Sequence, residues 1–70
     1  MNRDEHLAWC KKRALEYLEA GDLINAVGSM ISDMQDLGTD AVNPYLMMIG
    51  AMDAQAGDER AVRRWIEGFQ

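Results

Sequence analysis

A chain of 70 residues with 49% apolar side chains, a single cysteine and a formal net charge of −5 has room for one domain, residues 1–70, and a small core. One cysteine excludes an internal disulfide. No continuous apolar run approaches the ~18 residues of a membrane span, and the overall acidity argues against nucleic acid as a partner.

Asn2 is placed to cap a first helix, with Glu5 three residues on to return the bond and Asp4 and Glu5 favourable in the positive first turn. That helix is expected to run to about Ala20, burying a stripe of Leu7, Cys10, Ala14, Tyr17 and Leu18. Cys10 on this stripe reads as a small buried hydrophobe. Trp9 lies roughly 200° from Leu7 at about 100° per residue, among Lys12, Arg13 and Glu16. It either stacks under Arg13 or anchors an interface.

Gly21 supplies a left-handed stop and Asp22 caps a second helix, expected to reach Asp36 or Leu37. Its stripe is Leu23, Val27, Met30, Ile31, Met34 and Leu37. Residues Gly38 to Val42 form the one linker. Asn43 followed by Pro44 is a cap with proline at the first helical position, opening a third helix that Gly57 ends. From Tyr45 through Met52 this helix is apolar around its whole circumference, and such a helix must be covered on every side. Two readings stand: Leu46, Met47 and Met48 are core filler, or together with Trp9 they form an interface covered by another copy or a partner. Asp58 caps a fourth helix, expected to reach the C-terminus, with Val62, Trp65, Ile66 and Phe69 on one side and Arg60, Arg63, Arg64 and Glu67 on the other.

Ala20-Gly21-Asp22 and Ala56-Gly57-Asp58 say the same thing twice. The copies align at an offset of 36 up to Gly-Asp and 35 after it, matching Trp9 with Tyr45, Val27 with Val62, Met30 with Trp65 and Met34 with Phe69. A period near 35 with an aromatic in the first helix and a glycine at the turn resembles a tetratricopeptide repeat, without that family's full aromatic and proline pattern. The expected fold is all-α, four helices as two consecutive αα-hairpins, in a compact bundle or a two-unit repeat-like array.

Every basic residue lies between Arg3 and Arg13 or between Arg60 and Arg64, whereas residues 14–59 hold nine acidic side chains and no basic one. Much of this is helix capping and solvated surface. The functional reading is a surface of Lys11, Lys12, Arg13, Arg60, Arg63 and Arg64 facing an anionic ligand, such as a nucleotide, or an acidic partner. His6 and Cys10, one turn apart, supply half of a metal site. The chain has no Ser/His/Asp set and no glycine-rich phosphate loop, so no enzyme, metal or cofactor is expected.

The segment His6-Leu7-Ala8-Trp9-Cys10-Lys11-Lys12-Arg13-Ala14-Leu15-Glu16-Tyr17, with Gly21-Asp22-Leu23, Ser29-Met30, Ser32-Asp33-Met34 and Ile66-Glu67-Gly68-Phe69, resembles a group of short phage and prophage proteins of no assigned function. The chain departs from them between Gln35 and Val42, where they carry a His-Pro-Glu-Thr type linker. The resemblance implies a phage origin and transfers no catalytic residue. Together with Asn2, Arg3, Asp4 and Glu5 standing where a secretory leader would be apolar, it implies a soluble protein in the cytoplasm of a bacterial host. The expected function is a protein-interaction module that self-associates and modulates a host defence or transcription component. The alternatives are a nucleotide-sequestering sponge and a minor virion or assembly component.

Overall fold

The computed structural model describes residues 2–35 and 43–69. Within them lie α1 (Arg3–Glu19), α2 (Leu23–Gln35), α3 (Pro44–Gln55) and α4 (Glu59–Glu67), and no strand. Each start is set by local chemistry. The Asn2 side chain accepts from the Glu5 amide at 2.8 Å and its own amide donates to Glu5 Oε1 at 3.3 Å. Asn43 Oδ1 accepts from the Leu46 amide at 2.9 Å, with Pro44 spending no donor at the first helical position. Asp22 and Asp58 cap α2 and α4 through the amides of Asn25 and Ala61, at 3.2 and 3.1 Å.

The two Ala-Gly-Asp turns are built alike. Gly21 and Gly57 adopt φ of 81° and 71°. In the first turn Asp22 N–H donates to Tyr17 O and Gly21 N–H to Leu18 O, each at 3.0 Å; in the second, Asp58 donates to Asp53 and Gly57 to Ala54, each at 3.1 Å. This is the Schellman pattern, with the aspartate that closes one helix opening the next. Among the described residues nothing lies within 4 Å of a Cβ added at either glycine, so backbone strain is what opposes a side chain there. Replacing Gly21 or Gly57 by Ala is therefore expected to cost about 1 kcal/mol each. Thermal melts of both single variants check this, and unchanged midpoints would contradict it.

α2 and α4 form a central pair. They touch each other, and each touches both outer helices, whereas α1 and α3 do not meet. Translated repeat units would set the two first helices side by side, so the hairpins form the bundle. α1 contributes Leu7, Cys10, Ala14 and Leu18 to the core, α2 contributes Ala26, Val27, Met30 and Met34, and the last segment contributes Val62, Trp65, Ile66 and Phe69. Burial repeats at the matched positions Val27 and Val62, Met30 and Trp65, Met34 and Phe69. The Cys10 thiol is fully buried.

Three expectations change. Tyr17 is 37% exposed, at the margin of the α1 stripe. α4 stops at Glu67 and is capped by Gly68, so Phe69 leaves the helix and packs edge-on against Trp65, with ring centroids 4.9 Å apart. α3 has two neighbours among the described residues, so part of its circumference is open. The expected end of the second helix, Leu37 and the linker lie outside the described residues.

Trp65 fixes how α3 sits. Its Nε1–H donates to the Leu46 carbonyl at 2.8 Å, and its six-membered ring lies over Gly50, where a Cβ would stand 2.7 Å from Cε2 and Cζ2. The indole needs a gap in the facing helix, and glycine is that gap.

Candidate functional site

Gly50 and Ala54 are buried and mark the inward side of α3; Leu46 and Met47 flank them, half-buried against the core. Opposite, Tyr45 is 74% exposed, Met52 62%, Met48 51% and Ile49 46%. Residues 45, 48, 49 and 52 recur at three and four, so they form one ridge. Ile24 of α2, 68% exposed, lies beside a groove between α2 and α3 whose lining it shares with Val27, Gly28, Ile31, Ala51 and Ala54, a cavity of about 240 Å³. These five exposed side chains leave on the order of 600 Å² open, the upper end of the largest apolar patch on a monomer.

Of the candidate interface residues, Met48 is on this ridge, Leu46 and Met47 are mostly turned inward, and Trp9 is on α1, which does not touch α3. Tyr45, Ile49 and Met52 were not singled out from the sequence, because a helix apolar on all sides marks no outward face. Of the small residues of this helix, Gly50 and Ala54 are buried and Ala51 is exposed, and the ridge lies opposite Gly50 and Ala54.

Trp9 belongs to a clasp between α1 and α2. Its ring, 40% exposed, lies 5.6 Å from that of His6, and the Arg13 guanidinium sits over it at 4.8 Å. Such a contact contributes about 0.5–1 kcal/mol at an exposed site. Arg13 Nε also approaches Asp33 Oδ2 at 3.7 Å; the Ser29 hydroxyl donates to that oxygen at 3.4 Å, and His6 Nε2–H donates to the Asp33 carbonyl at 3.2 Å. Asp33 is buried on α2, and the Arg13 cation offsets part of the cost of burying its carboxylate. His6 thus faces the Asp33 backbone and the Trp9 ring, while Cys10 is sealed in the core.

The six candidate cations are divided. Arg13 turns to α2, and Lys11 Nζ donates to the Glu67 carbonyl at 3.2 Å, at the negative end of α4. Arg63 pairs with Glu59 one turn away at 3.9 Å. Arg60 and Arg64 are exposed on α4, and Lys12 on α1. Arg64 borders a cavity of about 210 Å³ with Trp65 and Phe69, whereas Lys11 and Lys12 border one shared with Glu16 and Glu19. No group of three or more metal-ligating side chains occurs among the described residues. None of the helices is long and apolar enough to cross a membrane.

No protein-family model, no curated protein and no solved structure matches the chain. The functional reading therefore rests on its surfaces.

Proposed function

We propose that this chain is a small protein-interaction module of the phage type, which works in a bacterial host by binding a protein of defence or transcription and also binds its own copies through α3. One observation supports this above all: the contiguous open ridge of Tyr45, Met48, Ile49 and Met52. An apolar face of this extent, on a helix with Asp53 as its one charge, serves where another protein covers it. The nucleotide-sequestering alternative draws less support. Its cations are split between helices, and Lys11, Arg13 and Arg63 already have protein partners.

Affinity capture from host cells, with bound proteins identified by mass spectrometry, tests the reading. Wild type is expected to retain a host protein in stoichiometric amount, and Met48→Glu to lose it while keeping its helical content. Trp9→Ala serves as the second arm, since it disturbs an exposed aromatic on α1, away from α3. Identical captures from wild type and Met48→Glu would overturn the assignment to α3.

A further inference from the structure

The α2–α3 face carries a ridge and a groove side by side, and resting on the interaction reading above, we infer that until a host protein takes this face its occupant is a second copy of this chain. In the resulting two-fold dimer, the Met48 and Met52 ridge of each copy seats in the groove of the other.

Three observations carry this. The first is shape: a two-fold axis between an adjoining ridge and groove brings each ridge onto the other groove, the self-complementarity an isologous interface requires. Complete burial of the open patch on both copies would remove at most about 1,200 Å² from water, which reaches the lower limit for a stable specific pair.

The second is charge. Each copy carries −5, so two copies repel wherever their acidic surfaces meet. α3 has Asp53 alone, half-buried, and the Asp33 of α2 is turned to Arg13 on α1. The ridge and groove thus carry no charged side chain among the described residues that form them. A partner recognised by charge would find nothing to pair with here.

The third is Gly28. It lies inside α2 at an exposed position without positive φ, and nothing stands within 4 Å of a Cβ built on it. A glycine in a helix interior costs about 1 kcal/mol relative to alanine. No contact among the described residues repays that cost, in contrast to Gly50 under Trp65. Gly28 lines the groove, and its missing side chain lets an incoming methionine reach the α2 backbone.

Sedimentation velocity on the full chain at micromolar concentration is the test, with circular dichroism to confirm that each variant is helical. Wild type is expected to sediment as a dimer. Gly28→Leu starts from a position where a Cβ meets nothing among the described residues, reaches into the groove, and is expected to weaken the dimer roughly tenfold or more, as is Met52→Glu. A dimer that survives Gly28→Leu but is lost with Met52→Glu would overturn the groove as the seat, leaving association through α3 intact. A wild type that stays monomeric would overturn the dimer altogether, and host-protein capture lost with Met48→Glu would still stand for the interaction reading.

Discussion

Trp65→Ala is expected to be the most damaging single substitution in this protein, costing about 3–5 kcal/mol, the usual range for removing a large buried aromatic. A 70-residue domain has only about 4–10 kcal/mol in total. Trp65 is 8% exposed, holds the Leu46 carbonyl, meets Phe69 edge-on and covers Gly50. Its loss breaks the joint between α3 and α4 at every one of these points. The same geometry makes Gly50→Ala destabilising by about 1–3 kcal/mol, although alanine is the better helix former, because the new Cβ overlaps the indole. In a Trp65→Leu background the overlap is gone and Gly50→Ala is expected to turn neutral or favourable. Urea melts of the four proteins of this cycle measure the reversal. A Gly50→Ala that stabilises the Trp65 protein would mean that the ring does not lie over α3.

Asp33→Ala is expected to cost about 2 kcal/mol. The carboxylate is buried, and removing it leaves the Ser29 hydroxyl and Arg13 without their acceptor. The figure is below that of a fully buried pair because the Arg13 side chain is 42% exposed and water screens it. Asp33→Asn keeps an acceptor for Ser29 and should lose about half as much. The Arg13→Met/Asp33→Leu double variant should recover part of the loss, since apolar replacements of both partners leave no orphaned charge. Thermal melts decide. Equal stability of wild type and Asp33→Ala would show that the clasp contributes nothing.

Helix starts and turns were legible in the sequence because they are decided within a few residues. Asn2, Asn43-Pro44, Asp58 and the two Ala-Gly-Asp steps act on amides three residues away or on carbonyls one turn back. The orientation of α3 was not legible. A helix apolar on all sides has no preferred face, and Gly50 acquires meaning only once Trp65 of another helix lies on it. Leu46 and Met47 therefore read the same as Met48, although they are half-buried and Met48 is open. Asp33 was hidden for a related reason: an acid on a helix reads as solvated surface unless its counter-ion is known to reach it, and Arg13 does so across a gap of 20 in sequence. Tyr17 sat near enough to the stripe of α1 to join it by angle, while more than a third of its surface stays open.

That α1 and α3 never meet has a consequence for how this protein can change. Substitutions on distant, unconnected faces add in free energy. The outer side of either flanking helix is therefore free to be rewritten, residue by residue, with the other left as it was.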